Sequence, residues 1–174
     1  MRILILSVFL IAFALVGCDR GTTAQSNPDA TADAIPAALV VTAAPADAKD
    51  VKAAKAGLKQ GDAVVVRGVI GGRADPIAAN RALMTIIDPQ VQTCDKIPGD
   101  KCPTPWDACC VDQQEIAAHA ATVQVVNDKG QPLKVGLNGH KGIAPGKEVT
   151  VAGKVHSADE NNLVIDATGI YVKS

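Results

Sequence analysis

The chain has 174 residues, with 17 basic against 18 acidic side chains and a formal charge of −1. Aromatic residues make up only 2% of it: one Trp, one Tyr and two Phe. A near-neutral, aromatic-poor chain of this length suits one small domain. It lacks the cationic surface and the stacking platforms on which single-stranded nucleic-acid binding depends.

The chain opens MRILILSVFLIAFALVGCDR, with Arg2 ahead of an apolar run from Ile3 to Val16. A bilayer span needs roughly 20 apolar residues, so this run is short for one. Its charged start, apolar centre and small-residue end have the form of a secretory signal over residues 1–17. The stretch Leu15-Val16-Gly17-Cys18 resembles the bacterial lipobox. That resemblance implies a lipoprotein whose Cys18 is the acylated first residue of the mature chain, held at the membrane by more than one acyl chain. It also implies a domain facing the periplasm, where disulfides persist. Asp19 resembles the inner-membrane retention signal of some bacteria. Removing residues 1–17 takes away Arg2 and no acid, leaving 16 basic against 18 acidic residues and a charge of −2. Phe9 and Phe13 leave with the signal, so Trp106 and Tyr171 are the mature aromatics.

Residues 18–46 are rich in Ala, Thr, Asp and Pro and read as a flexible tether, with a short pairing by Leu39-Val40-Val41 as the exception. The folded domain is expected over 47–174. Val51, Ala54 and Leu58 fall at helical spacing and predict a short helix over 48–59. Strands follow. From Asp62 to Ile70, Val64, Val66, Gly68 and Ile70 share one face and Arg67 lies on the other. The glycine there predicts a bend or a close backbone approach. Further strands are expected over 82–87, over 122–126, and through Leu133, Val135 and Leu137 after a turn at 127–130. The last two are expected over 148–156 and 163–172, with a bulge at Thr168-Gly169. The predicted fold is mainly β: a five- to six-stranded, closed or nearly closed small barrel with a short N-terminal helix.

Five segments carry a family resemblance: LKQGD at 58–62, VVVRGVI at 64–70, IID at 86–88, PGKEVTVAGKV at 145–155 and LVIDATGI at 163–170. Together they resemble the bacterial OB-fold (BOF) family of small exported proteins, over about two thirds of the mature chain. The resemblance implies an OB-fold-like barrel with a binding or structural role in the cell envelope and no catalytic residues. Residues 89–118 depart from the family as an insertion with four cysteines. Within it, CPTPWDACC is similar to a segment of uncharacterised planctomycetal lipoproteins, a likeness that implies no mechanism.

The insertion holds Cys94, Cys102, Cys109 and Cys110, spaced C-x7-C-x6-C-C. Once Cys18 is acylated, four thiols remain, and four allow three disulfide connectivities. A bridge between the adjacent Cys109 and Cys110 would strain the intervening peptide. Two disulfides, joining Cys109 and Cys110 to Cys94 and Cys102 in either order, would staple a long loop that has no regular pattern. The same thiols, with Asp95, Asp100, Asp107 or His119, form the alternative: a soft-metal site for zinc or monovalent copper. Against it stands the absence of the C-x2-C pairs usual in structural zinc sites. A redox role lacks a C-x-x-C motif. His140 and His156 are lone histidines, no G-x-S-x-G occurs, and no enzyme is expected. The leading expectation is therefore a lipid-anchored envelope module that meets a protein partner or small ligand. A nucleic-acid-binding OB-fold protein is the third alternative.

In the native host, Cys18→Ala is expected to release the protein from the membrane fraction and change its mature mass. Membrane partition at unchanged mass would overturn the anchor.

Overall fold

The structure, a computed structural model, describes residues 34–174. The signal segment, Cys18 and the tether before residue 34 lie outside the described residues. The elements run β1 (Val40–Val41), β2 (Lys49–Asp50), α1 (Val51–Lys55), β3 (Ala63–Ile70), β4 (Leu83–Ile87), α2 (Gln113–His119), β5 (Ala120–Gln124), β6 (Glu148–Ala158) and β7 (Leu163–Val172). Short 3-10 turns lie at Cys94–Lys96 and His140–Gly142.

Period-two alternation builds the wall. In β3, Val64, Val66, Gly68 and Ile70 are buried and Arg67 is exposed, as a half-buried strand requires. Val149, Val151, Gly153 and Val155 do the same in β6. β3 pairs antiparallel with β4 and β6, β4 antiparallel with β5, β5 parallel with β7, and β7 antiparallel with β6. The circuit β3-β4-β5-β7-β6-β3 closes a five-stranded barrel. Its strand order and single parallel closure are those of an OB-fold-like barrel, so the expected fold class holds. β1 and β2 lie outside the circuit. β1 runs parallel to the end of β7 (Val40↔Ile170) and β2 parallel to the middle of β3 (Lys49↔Val66).

The barrel core gathers Val66, Ile70, Met84, Ile86, Val123, Val151, Ile165 and Ile170, all 2% exposed or less. Each such side chain contributes about 1.5–3 kcal/mol by leaving water. Aliphatic residues fill it throughout, since Trp106 and Tyr171 are the only Phe, Tyr or Trp among the described residues. Tight coiling needs close strand contacts. A Cβ on Gly153 would lie 2.4 Å from the Asp166 carbonyl oxygen, and one on Gly68 2.8 Å from that of Ile87. The register of β6 against β7 skips Thr168, which forms the expected bulge.

The short pairing allowed for Leu39-Val40-Val41 forms at Val40–Val41, beside which Leu39 is 3% exposed and its carbonyl accepts from Ile170 N at 2.7 Å. Other expectations change. The helix expected over 48–59 is one turn, Val51–Lys55, because Lys49 and Asp50 pair with β3 instead. No strand forms over 133–137. Pro132 makes only an isolated bridge with Val126, while Leu133, Leu137 and Ile143 enter the barrel core from an irregular segment. Pro132 has no N–H to extend the ladder. The third strand begins at Ala120, two residues early, because the insertion ends in helix α2. Asp112 caps that helix by accepting from Gln114 N and Glu115 N. The spacing of Asp112 and Glu115 is a capping signal that reading the region as patternless passes over.

Gly153→Ala is expected to lower stability by about 2–4 kcal/mol. Gly169→Ala, whose Cβ would meet nothing nearer than 3.6 Å, is expected to cost less than about 0.5 kcal/mol. Urea unfolding of both variants measures the difference, and equal losses would contradict this packing.

Candidate metal centre

The insertion is pinned at both ends before it makes any site. Asp88 closes β4 and is fully buried. Its carboxylate accepts from the Val51 and Lys52 backbone N–H groups and lies 2.7 Å from His119 Nδ1. The Asp88 N–H donates to the His119 carbonyl at 3.0 Å. The two ends of the loop are thereby held together, and α1 is capped across the same carboxylate. His119 Nε2 lies 3.3 Å from Lys52 Nζ.

Between these ends the loop packs on the outside of the barrel. In β4, Ile86 points into the main core, whereas Ile87 points outward and is covered by Val91 and Ala108, with Val111, Ile116 and Ala120 around them. Trp106 docks the far side. Its Nε1 donates to the Ala74 carbonyl at 2.9 Å, and its own carbonyl accepts from Gly72 N at 2.9 Å. Gly71 permits the approach, since a Cβ there would lie 2.5 Å from the Trp106 carbonyl oxygen. Lys96 Nζ donates to the carbonyls of Pro89 and Val91.

A short ladder then brings the cysteines together. Cys94 N donates to Asp107 O at 2.8 Å and Asp95 N to Pro105 O at 3.0 Å. These bonds lay the segment at Cys94 beside the segment leading to Cys109. Asp100 Oδ1 accepts from Cys102 N at 3.1 Å and folds the third cysteine back. The sulfurs of Cys94, Cys102 and Cys109 all lie within 4.8 Å of one another. Cys94 is buried, Cys102 half-buried and Cys109 exposed. Cys110 is exposed, with its sulfur 3.9 Å from that of Cys109 but outside the three-sulfur set.

The two expected disulfides are not formed in this geometry. Cys94 Sγ and Cys109 Sγ are 3.5 Å apart, whereas a bond needs about 2.05 Å. All four thiols are free. Three sulfurs share one point, where two bridges would require two separate pairs. His119, expected as an additional ligand, is not in the set because its Nδ1 faces Asp88. Asp95, Asp100 and Asp107 each accept a hydrogen bond within the loop, from Thr93 Oγ1, Cys102 N and Ala108 N. Burial pushes the Cys94 thiol well above its usual range. Hydrogen bonding with the Thr104 hydroxyl and backbone lowers the Cys102 thiol.

The other histidines lie elsewhere. His156 Nδ1 is 3.2 Å from Asp166 Oδ2, on a carboxylate that also accepts from Gln124 Nε2 at 2.7 Å. His140 lies in the 3-10 turn after Gly139, far along the chain from the thiols. The β4–β5 face, with its adjoining loop, carries an open cleft of about 480 Å³ that includes Arg73, Asp75, Thr85 and Thr122 but no aromatic side chain. No protein-family model, curated protein or solved structure matches this chain.

Asp88→Ala is expected to cost about 3–5 kcal/mol, since it leaves buried donors without their acceptor. His119→Ala is expected to cost about 1–2 kcal/mol, because Asp88 keeps its two backbone donors. Denaturant unfolding ranks them, and the reverse order would show that Asp88 is not the clamp.

Proposed function

We propose that this chain is a lipid-anchored envelope protein whose OB-fold-like barrel presents a soft-metal site in the inserted loop. Cys94, Cys102 and Cys109 would hold zinc or monovalent copper. The observation that carries this reading is the convergence of their three sulfurs within 4.8 Å, with no pair at bonding distance. Thiolates select soft ions. With metal–sulfur bonds of about 2.3 Å, ligand sulfurs lie roughly 3.8 Å apart in a tetrahedron and roughly 4.0 Å in a trigonal plane. The Cys94–Cys109 separation of 3.5 Å falls close to both.

The donors stand on a supported loop. Cys94 lies in the ladder with Asp107, Trp106 is tied to the barrel, and both loop ends meet at Asp88 and His119. A bound ion would supply a cross-link between the loop's two halves. The remaining work falls to the chain: the ladder orients Cys94, and Asp100 places Cys102. The lipobox-like start supports attachment at Cys18, and the periplasmic side is where such a module would meet its ion or partner. Binding, not catalysis, is the proposed role. The shallow β4–β5 face, with its mixed charges and lack of rings, gives nucleic acid little to hold.

One observation favours a second reading, a disulfide-stapled structural module. Cys94 and Cys109 need only a small approach to bond, and the expected compartment oxidises thiols.

The native, full-length lipoprotein, extracted in detergent without added reductant, separates the two. The metal reading expects an intact mass with four retained thiols, a stoichiometric soft metal by elemental analysis, and loss of that metal in Cys94→Ser. A mass short by four hydrogens, with no metal, would establish the staple instead.

A further inference from the structure

The cluster has a fourth sulfur that its geometry leaves aside. Cys110 directly follows Cys109, is exposed, and lies 3.9 Å from it, yet it is not within the mutual 4.8 Å set. The other donors that a four-coordinate ion would need are engaged. His119 faces Asp88 at 2.7 Å, Asp100 accepts from Cys102 N, and Asp107 accepts from Ala108 N. Three sulfurs of graded exposure therefore form the site: Cys94 buried, Cys102 half-buried and Cys109 at the surface.

Structural zinc is almost always tetrahedral and four-coordinate. Monovalent copper, a soft ion of filled d-shell, is content with three thiolates in a plane. Resting on the soft-metal reading above, we infer that the cluster is a three-coordinate site for monovalent copper and that Cys110 is the surface sulfur through which the ion is received and handed on.

The passage is ligand exchange, with no change in oxidation state. As the Cys110 sulfur bonds the ion, its thiol gives its proton to water. One of the three earlier copper–sulfur bonds opens, and its thiolate takes a proton from water. Cys109 is the natural pivot, since it is both a member of the trio and the nearest sulfur to Cys110. Cys94, held by the Asp107 ladder and buried, is the ligand that stays. An exposed exchange ligand lets a partner's thiolate or thioether reach the ion without opening the loop.

The test uses the full-length lipoprotein in detergent, reduced and kept anaerobic. It is titrated with monovalent copper against a chromogenic chelator, and with zinc in parallel. The expected result is one copper per chain with three sulfur ligands by X-ray absorption, and displacement of zinc by copper. Cys94→Ser is expected to weaken copper about 100-fold or more, a change of about 2.8 kcal/mol at about 1.4 kcal/mol per tenfold. Cys110→Ser is expected to keep the stoichiometry and hold affinity within about threefold, while slowing copper removal by a strong chelator about tenfold. Four sulfur ligands, with Cys110→Ser as damaging as Cys94→Ser, would overturn the three-coordinate assignment while leaving the soft-metal reading standing. Unchanged removal rates in Cys110→Ser would overturn the exchange role. Failure to bind either metal would overturn both this inference and the reading beneath it.

Discussion

A single buried carboxylate organises the molecule around its insertion. Asp88 stands where β4 ends, takes the first N–H groups of α1, and holds the His119 ring, while its own N–H reaches the His119 carbonyl. Burying a carboxyl group is costly unless hydrogen-bond partners meet it, and here two backbone N–H groups donate to it with the His119 ring 2.7 Å away. The same contacts close the loop from 89 to 118, so the rest of that loop does not bear the closure entropy alone. The helix, the barrel wall and both ends of the insertion share one polar anchor.

On that base the insertion builds a small structure of its own. Ile87 keeps the alternation of β4 by facing outward, and it is buried there because Val91 and Ala108 cover it. A second apolar cluster thus lies on the barrel's outer side, with Trp106 fixing the opposite flank through its indole N–H and its carbonyl. The cysteines sit above this base, and their mutual approach is set by backbone hydrogen bonds across the loop. A thiol cluster on such a frame is preorganised: little further ordering is needed when an ion or a bridge joins the sulfurs. The surface offers a gradient from buried Cys94 to exposed Cys110 within one short stretch.

The barrel is built almost wholly from Val, Ile, Leu, Met and Ala, with glycines at the tightest contacts. The cleft on the β4–β5 face, where OB-folds commonly bind oligomers, is lined by no aromatic side chain. The described thiols all lie in the insertion, which packs on the outer side of the barrel.

The strands were legible because a period of two is local information. The face of β3, the placing of β6 and β7 and the bulge at Thr168 follow from alternation, glycines and turn residues in the sequence alone. The strand with which Val40 and Val41 pair, the one-turn length of α1 and the irregular path of 133–137 did not, since each depends on residues distant in the chain. Helix α2 was signalled by Asp112 and Glu115, in a region dominated by its cysteines. Four thiols in a loop were likewise plain, but the spacing C-x7-C-x6-C-C is compatible with bridges or with a centre. Which sulfurs meet was decided only by tertiary structure. The bond from Cys94 N to Asp107 O, the turn at Asp100 and the clamp of Asp88 on His119 draw three sulfurs together, leave Cys110 at the edge and turn His119 away. The turn at Asp100 is local, but the Cys94–Asp107 and Asp88–His119 contacts join segments separated by the loop itself, and no local pattern encodes them.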